Sequence, residues 1–388
     1  MQSFDLFLPT KMVFGKDRIN ELPAKLAPFG KKVLLTYGGG SIKKIGLYQK
    51  VLELLKDFEI VELNGIEPNP KLETVKKGAA LCREHNIDVI LSVGGGSVLD
   101  CSKHIACATF YEGEAWDLVK DGSLITKALP IVDIITLAAT GSEYDFGGVI
   151  TNNQTHEKLA VQGDPLYPRI SFCDPTYTFT VPAKHTAAGS ADIFSHVFEQ
   201  YFVSDRNTLT DGFCEAMLRT VVKNAPIAIK EPDNFEARAQ LLMASSFGCC
   251  GLLAIGRSAS PWPCHGMEHE LSAFYDITHG EGLAIVTPHW MDYTLDKTTA
   301  PIFAQYGENV FGLAKEADVM TGAKKAIEKT REFFKSLGLP STLAEVGITS
   351  EEYFEQMAEH VMNNWWDQKG SFKSIDKNAV LAILKASK

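Results

Sequence analysis

Histidines and acidic residues recur at helical spacing in the second half of the chain. Asp192 and His196 are four residues apart, and His265 and His269 repeat that spacing. Residues four apart lie on one face of a helix, where two side chains can grip the same ion. His279 follows His265 by fourteen residues. One carboxylate with several imidazoles suits Zn²⁺ or Fe²⁺, so this combination predicts a catalytic metal.

The five residues need not share one role. A single histidine is more often a satisfied core or surface group, and the prediction of a metal rests on the whole set. His269 lies on the same helix face as His265, so it could relay a proton or line the pocket. A supporting position beside a ligand fits His269 equally well.

Three neighbours of these residues receive no role. Glu199 and Glu268 could orient imidazoles, but carboxylates are common on helix surfaces. Cys264 directly precedes His265 and should point elsewhere on a helix, so we interpret it as a packed thiol.

Two glycine clusters in the first half each follow a predicted strand and open a predicted helix. They occupy residues 38–41 and 94–97. Glycine lets the backbone approach a phosphate, and the N–H groups at a helix start favour an anion. Neither cluster matches G-x-G-x-x-G or G-x-x-x-x-G-K-[ST]. Each could be only a tight turn, but two in one half favour a nucleotide site.

The strand before the first cluster ends without an acid. Sites that prefer NAD often hold the adenosine ribose with a carboxylate near a strand end. Tyr37 and Gly38 stand there instead, and Lys43 and Lys44 lie inside the following helix, where they could neutralise an extra phosphate. We therefore predict that NADP(H) is favoured over NAD(H). A third cluster, residues 140–143, could contact the cofactor or form a simple turn.

The periodicity of the apolar residues divides the chain in two. β-branched runs alternate with amphipathic runs in the first half, which predicts a mostly parallel sheet covered by helices. Later segments have three-to-four-residue apolar spacing, which predicts helices. We expect an α/β dinucleotide-binding domain over residues 1–179 and an all-α metal-binding domain over residues 180–388. Predicted strands span 32–37, 60–63, 88–93 and 131–136; predicted helices span 41–58, 71–85, 207–229, 235–253, 301–313 and 323–337.

Composition excludes several classes of function. The 388 residues include 38 basic and 48 acidic ones, a net charge of −10, and the pI is near 5.5. Such a chain lacks the basic footprint of a nucleic-acid or anionic-membrane binder. No secretory signal is visible at the N-terminus, and apolar stretches are too short to span a bilayer. The eight cysteines show no C-x-x-C pair, so we expect reduced thiols in the cytoplasm.

The order of these motifs resembles the iron-containing (group III) alcohol dehydrogenases over nearly the full chain. It is most like the branch of NADPH-dependent aldehyde reductases and butanol dehydrogenases. The resemblance implies a dehydroquinate-synthase-like fold, a homodimer, and reversible hydride transfer between NAD(P)H and a small aldehyde or primary alcohol. The motifs are Gly95-Gly-Ser-x-x-Asp100-x-x-Lys103, Thr140-Gly-Ser-Glu143, Asp192-x-x-x-His196, Cys264-His265-x-x-x-His269 and His279-Gly280.

The resemblance also assigns residues to the two sites. It implies that the metal ligands are Asp192, His196, His265 and His279, with His269 close to the nicotinamide. It implies cofactor contacts from Gly38, Ser41, Asn69, Gly95, Gly96, Ser97, Asp100, Thr136, Thr140, Ser142 and Lys158.

The sequence departs from the family pattern in two places. NAD-preferring members have an acid at about Gly38, so its absence agrees with the predicted NADP(H) preference. Residues 137–139 are Leu-Ala-Ala, where many members have hydroxyl residues, so one hydroxyl contact to the cofactor is expected to be weaker.

Other functions remain open on sequence alone. A polyol dehydrogenase of the same superfamily and a metal-dependent hydrolase would both use the ion. A dehydroquinate-synthase-type lyase needs several cations for its anionic substrate, and only Lys184 and Arg257 stand near the motifs. A non-catalytic nucleotide-binding module would leave the metal ligands without a purpose. Five aromatic residues favour an apolar aldehyde: Phe146, Phe179, Phe198, Trp262 and Phe274.

Overall fold

A computed structural model describes residues 1–364 and 369–388. The chain forms two compact units. The α/β unit comprises Phe7–Val181 and Ser245–Cys250, and the helical unit comprises Met1–Leu6, Pro182–Ala244 and Gly251–Lys388. The predicted fold class, an α/β half followed by a helical half, is confirmed.

The α/β unit is built on a sheet of six parallel strands in the order β1-β8-β5-β4-β2-β3. The central strands are rich in β-branched and aliphatic residues and buried on both faces, as parallel sheets covered by helices require. Two further strands, β6 and β7, form an antiparallel hairpin. The strands are β1 Lys11–Phe14, β2 Lys32–Tyr37, β3 Glu59–Leu63, β4 Val89–Gly94, β5 Ile131–Ile135, β6 Gly147–Asn152, β7 Glu157–Gln162 and β8 Ile170–Cys173.

Helices pack on both faces of this sheet and enclose two apolar cores. The core formed with α4 and α5 includes Val75 and Ile105, and the core on α3 includes Val51. Glycine turns therefore emerge between a buried strand and a packed helix. The helices of this unit are α1 Leu22–Leu26, α2 Ser41–Lys44, α3 Leu47–Leu54, α4 Leu72–His85, α5 Gly96–Ala108 and α6 Asp117–Lys120.

The helical unit contains the remaining helices of the described residues. An aromatic cluster fills part of its core, where Phe202 lies between Phe198, Phe303 and Tyr306. None of the helices that the structure describes has the length and apolar character needed to cross a membrane. The helices are α7 Ala183–Tyr201, α8 Thr208–Lys230, α9 Phe235–Gly248, α10 Pro263–Tyr275, α11 His279–Thr294, α12 Ala300–Phe311, α13 Val319–Ser336, α14 Phe354–Asn364 and α15 Lys377–Ala386.

The structure differs from the sequence prediction at several boundaries. The predicted helix over 41–58 is divided at Gly46, whose φ of 76° interrupts the helical backbone between α2 and α3. The predicted helix over 235–253 ends at Gly248. The predicted division at 179/180 lies two residues before Pro182, where the helical unit resumes. Two short segments also belong to the unit opposite to the predicted one: Met1–Leu6 is part of the helical unit, and Ser245–Cys250 is part of the α/β unit.

Candidate metal centre and cofactor turns

The four predicted metal ligands come together in the helical unit. Asp192 and His196 lie on α7, His265 lies on α10, and His279 is the first residue of α11. The Nε2 atoms of the three imidazoles lie 3.5, 3.6 and 3.4 Å from Asp192 Oδ1, in chain order. Two residues one helical turn apart and two helix-borne histidines thus converge on one point.

Ligand atoms of Asp192, His265 and His279 all lie within 4.8 Å of one another, which fits a shared metal ion, whereas His196 meets this set only through its 3.5 Å approach to Asp192 Oδ1. With bonds of about 2.1 Å, neighbouring ligand atoms of a tetrahedral site lie about 3.4 Å apart. Asp192 Oδ1 and His265 Nε2 are buried, and neither has a hydrogen-bond partner within residues 1–364 and 369–388. Buried polar atoms without partners are costly, and a bound cation removes that cost. The oxygen and nitrogen donors suit Fe²⁺ or Zn²⁺.

Burial and facing charges shift the pKa values of the site in different directions. Burial lowers the pKa of His196 to about 3, so this imidazole is neutral. Burial raises the pKa of Asp192, but the facing imidazoles of His196 and His279 more than offset it, and the carboxyl pKa lies well below its usual range. Burial lowers the pKa of His265, but the carboxylates of Glu199 and Asp192 more than offset it and raise this pKa to about 9. Because metal binding needs deprotonated ligands, an ion that binds His265 displaces its proton.

Two buried carboxylates hold the ligand imidazoles from behind. Glu199 Oε1 contacts His265 Nδ1, and Glu268 Oε2 contacts His279 Nδ1. Both glutamate side chains are fully buried. Glu199 also accepts a hydrogen bond of 2.6 Å from the backbone N–H of Cys264. Because each carboxylate engages Nδ1, each imidazole directs Nε2 toward Asp192 Oδ1.

The sequence interpretation assigned no role to Glu199 and Glu268. A weak signal was present, because Glu199 follows His196 by three residues and Glu268 follows His265 by three. Positions three apart share a helix face with the ligands. That offset does not by itself distinguish these acids from surface carboxylates.

His269 lies one turn after His265 on α10 and is buried. Its ring centroid is 6.0 Å from that of His265 and 5.2 Å from that of His279. A His269 nitrogen and ligand atoms of Glu268 and His279 all lie within 4.8 Å of one another. His269 is therefore beside the predicted ligands, where it can exchange a proton near the ion.

The aromatic residues named in the sequence analysis do not share one location. The Trp262 ring lies edge-on to the imidazoles of His196 and His265, with centroids 5.9 and 5.3 Å apart. Phe198 instead packs in the helical core, and Phe146 stacks on Tyr167 in the α/β unit. Of these, Trp262 supplies an apolar wall at the metal centre.

In the α/β unit, the second and third glycine-containing turns lie side by side. The backbone N–H of Thr136 donates to the Gly94 carbonyl at 2.9 Å, and Gly95 precedes the first residue of α5. A Cβ on Gly96 would lie 2.3 Å from Thr140 Oγ1. Only glycine fits there, and the start of α5 presents its backbone N–H groups as an anion site requires. Ser97 is the next residue of that first helical turn.

The segment Ser245–Cys250 secures the third turn. Ser245 Oγ accepts a hydrogen bond of 3.1 Å from the backbone N–H of Ala139. Ser246 Oγ donates to Glu143 Oε1 at 2.6 Å. These contacts fix the backbone on both sides of Thr140, and no local pattern in the sequence indicates them because more than a hundred residues separate the partners.

Asp100 ties α5 to the β6–β7 hairpin. Its Oδ2 accepts from the backbone N–H of Val149 at 3.0 Å, and burial raises its pKa to about 6 against the opposing charge of Lys103. Asp100 Oδ1 and Ser142 Oγ are buried without hydrogen-bond partners among the residues that the structure describes. Ser142 nevertheless lies close enough to Asp100 to lower the pKa of its carboxyl, so the two side chains face each other.

The remaining cofactor candidates surround the first turn and the hairpin. Ser41 begins α2, and a Cβ on Gly38 would lie 3.2 Å from the Ile66 carbonyl. Asn69 has a left-handed φ of 48°. Lys158 on β7 is buried and pairs with Thr151 of β6. The structure brings every predicted metal ligand into the helical unit and every predicted cofactor contact into the α/β unit.

Comparison with known proteins identifies the family. A family model described as iron-containing alcohol dehydrogenase matches residues 9–175, and a model of the C-terminal domain of Fe-containing alcohol dehydrogenases matches residues 186–388. The chain belongs to the iron-containing alcohol dehydrogenase family. It is therefore an NAD(P)H-dependent alcohol dehydrogenase, and the family implies a divalent metal.

Two curated members of the family are similar over almost their full lengths. NADH-dependent butanol dehydrogenase A of Clostridium acetobutylicum is 50% identical, with 100% of each chain covered. The NADPH-dependent aldehyde reductase YqhD of Escherichia coli is 37% identical, over 93% of this chain and 94% of the relative. The crystal structure of NADH-dependent butanol dehydrogenase A from Thermotoga maritima superposes with a TM-score of 0.94 at 37% identity, covering 100% of this chain and 99% of that one.

Membership of the iron-containing alcohol dehydrogenase family accounts for the donor set in the helical unit and the glycine turns in the α/β unit. The hydrolase, lyase and non-catalytic alternatives find no support among these relatives. The names of the relatives divide between NADH and NADPH, so the predicted preference for NADP(H) is not confirmed.

Proposed function

We propose that this iron-containing alcohol dehydrogenase reversibly reduces apolar aldehydes to primary alcohols with a nicotinamide cofactor. The observation that carries the proposal is the convergence of three imidazole Nε2 atoms within 3.4–3.6 Å of Asp192 Oδ1. The apolar face of Trp262 beside His196 and His265 supports an uncharged substrate.

Asp192, His196, His265 and His279 hold one Fe²⁺ or Zn²⁺ ion in this proposal. When bound, the ion polarises the carbonyl oxygen as a Lewis acid, and the nicotinamide supplies the hydride. Glu199 and Glu268 are the carboxylates that keep the ligand nitrogens directed at the ion.

His269 serves as the proton donor in the reduction direction and as the acceptor in the oxidation direction. The reduced carbonyl oxygen needs one proton to become an alcohol, and His269 lies beside His265 and His279 without belonging to the set that converges on Asp192. An imidazole can make this transfer in either direction near neutral pH.

Eleven residues of the α/β unit bind the cofactor in this proposal. The N–H groups at the start of α5 face the diphosphate, and the side chains of Asp100 and Ser142 offer buried polar atoms to the nicotinamide half. The full set is Gly38, Ser41, Asn69, Gly95, Gly96, Ser97, Asp100, Thr136, Thr140, Ser142 and Lys158.

The finer expectations from the sequence belong to the same proposal. They are a homodimer and a location in the cytoplasm, while the predicted preference for NADP(H) is the alternative to the NADH preference that is inferred from Glu62 below. The first is tested by light scattering of the purified chain, the second by fractionation of cells that express it, and the cofactor preference by the titrations described below.

A single assay tests the proposed reaction. The chain is reconstituted with Fe²⁺ or Zn²⁺, and loss of reduced-cofactor absorbance is followed after addition of butyraldehyde. We expect turnover with at least one cofactor, loss of turnover with a chelator, and recovery with metal. Turnover that persists in the Asp192→Asn variant after chelation would contradict the proposal, and preferential oxidation of glycerol over butanol would favour the polyol alternative.

A further inference from the structure

A cluster of four polar side chains lies beside the first glycine turn. Tyr37 ends β2, Lys43 lies on α2, Tyr48 lies on α3 and Glu62 lies on β3. The Tyr37 hydroxyl donates to Glu62 Oε2 at 2.5 Å, and the Tyr48 hydroxyl donates to Glu62 Oε1 at 2.8 Å. Both carboxylate oxygens of Glu62 are therefore held by phenols.

The two tyrosines hold the Glu62 side chain in place. The hydrogen bond to Glu62, with burial and the charge of that carboxylate, raises the pKa of Tyr48 to about 12. The phenol thus remains a donor at neutral pH. Lys43 Nζ lies 5.0 Å from the Tyr37 ring centroid and 4.5 Å from that of Tyr48, so the ammonium is held over the rings by cation–π attraction.

The same cluster is tied to the turn that follows β2. The backbone N–H of Gly65 donates to the Gly38 carbonyl at 3.3 Å, and that of Ile66 donates to the Tyr37 carbonyl at 3.2 Å. These bonds place the end of β3 against residues 37 and 38. Glu62 lies near the carboxyl end of β3, and ligands of open α/β sheets bind outside the carboxyl ends of the strands.

An acid is therefore present at this edge of the sheet, although the sequence interpretation looked for it only at the end of β2. Position 38 itself has little room, because a Cβ there would lie 3.2 Å from the Ile66 carbonyl. The neighbouring parallel strand β3, which pairs with β2 from Lys32↔Glu59 to Thr36↔Leu63, contributes Glu62 instead.

We propose that Glu62 is the residue that determines cofactor preference in this chain, and that it makes NADH preferred over NADPH. The inference rests on the proposed use of a nicotinamide cofactor. The 2′-phosphate of NADPH adds a dianionic group at the adenosine ribose, and the fixed carboxylate of Glu62 repels it. Lys43 gives the site its residual affinity for NADPH, because its ammonium attracts the same phosphate.

Calorimetric titration of the full chain with NADH and NADPH tests this inference without requiring turnover. We expect tighter binding of NADH by the unaltered chain. Glu62→Gln should bring the two dissociation constants about tenfold closer by strengthening NADPH binding. Lys43→Met should weaken NADPH binding by about fivefold or more and leave NADH binding within about twofold.

Matched control variants remove the same charges from exposed neighbours. Glu59→Gln lies on the same strand as Glu62, and Lys50→Met lies on α3. Both residues are exposed, and both variants should keep the NADH-to-NADPH ratio of the unaltered chain. Circular dichroism of each variant checks that it is folded, and Lys43→Met decides the inference if Glu62→Gln does not fold.

The outcomes separate this inference from the proposed reaction. Tighter binding of NADPH by the unaltered chain, or an unchanged ratio in both Glu62→Gln and Lys43→Met, would overturn the role of Glu62. A shifted ratio in a chain that does not reduce butyraldehyde would support the role of Glu62 and contradict the proposed reaction. Binding of neither cofactor would overturn both.

Discussion

Two of the three proposed ligand imidazoles, those of His265 and His279, are oriented by a carboxylate outside the proposed ligand set. Glu199 and Glu268 are fully buried and lie against the Nδ1 atoms of His265 and His279. Removing the negative charge from such a carboxylate lowers the basicity of Nε2, the opposite nitrogen of the ring, and frees the ring to rotate. Both effects should weaken metal binding, and metal affinity can be measured without substrate.

We predict that Glu268→Gln weakens Zn²⁺ binding by roughly 10- to 100-fold, because the amide still fills the space but is a weaker hydrogen-bond acceptor than the carboxylate for the Nδ1–H group of His279. Competition with a chromophoric chelator measures the change. Glu281→Gln is the matched control, since Glu281 is on the same helix as His279 but pairs with Lys184 at 3.1 Å. Equal affinities of Glu268→Gln and the unaltered chain would contradict the assigned role.

A second prediction concerns the proposed proton-transfer role of His269. His269→Asn should lower the turnover number by about 100-fold or more, because the proton donor is lost, while the metal content stays near that of the unaltered chain. Steady-state kinetics with butyraldehyde and elemental analysis of the same sample measure both quantities. Unchanged turnover at full metal occupancy would show that the proton comes from another source.

The sequence predicted the ligands but not the carboxylates behind them, and the reason is physical. Asp192 and His196 carry a signal because a helix repeats every 3.6 residues. Glu268 acquires its role only when α11 packs beside α10 and presents His279 to it. A contact between helices has no local pattern in the sequence.

The start of α5 packs closely against the turn that follows β5, and both belong to the proposed cofactor site. Gly96 begins α5 directly against Thr140, which follows β5. A side chain at Gly96 would push these two turns apart. The separation of the turns, and with it the diphosphate site, therefore depends on the absence of one methyl group.

We predict that Gly96→Ala destabilises the chain by about 1–3 kcal/mol and weakens NADH binding by about tenfold or more, because the added Cβ overlaps Thr140. Chemical unfolding and calorimetry measure the two effects. Gly212→Ala on α8 is the control, since a Cβ at Gly212 meets nothing within 4 Å and its φ is not positive. Equal behaviour of the two variants would contradict the packing argument.

The elements themselves were predicted unevenly. β2 and β4 are long, apolar and bounded by glycine, and the sequence predicted them within one residue. β6 and β7 were not predicted, because their polar and glycine residues lack a clear alternation and their pairing is defined only by the hairpin. The apolar spacing continues across Gly46, so the sequence predicted one helix there. The left-handed backbone of Gly46 divides that helix into α2 and α3.

Buried acidic side chains occur in the α/β unit as well as among the predicted metal ligands of the helical unit. Asp133 and Glu143 are buried in the α/β unit, and Ser171 Oγ lies 2.6 Å from both Asp133 Oδ2 and the Glu143 carbonyl. Burial raises the pKa of Glu143 to about 7 and that of Asp133 well above its ordinary value. The folded chain therefore favours the protonated carboxyls.

Stability should consequently fall as the pH rises. A carboxyl whose pKa is higher in the folded chain than in the unfolded chain stabilises fully below the unfolded value and loses that contribution as pH passes the folded value. For Glu143 the loss is up to about 3 kcal/mol between about pH 5 and about pH 8. Glu143→Gln, which keeps an acceptor for Ser246, should flatten that part of the profile, and urea unfolding at several pH values measures it. A profile as steep as that of the unaltered chain would contradict the assignment.

The claim on which the whole account depends is that one ion binds among four named side chains. Anomalous diffraction from crystals loaded with Fe²⁺ or Zn²⁺ tests it most directly. We predict one strong peak in the helical unit, about 2.0–2.2 Å from an Asp192 oxygen and from the Nε2 atoms of His196, His265 and His279. A peak elsewhere, or one that lacks Asp192 or any of these imidazoles as ligands, would contradict the account.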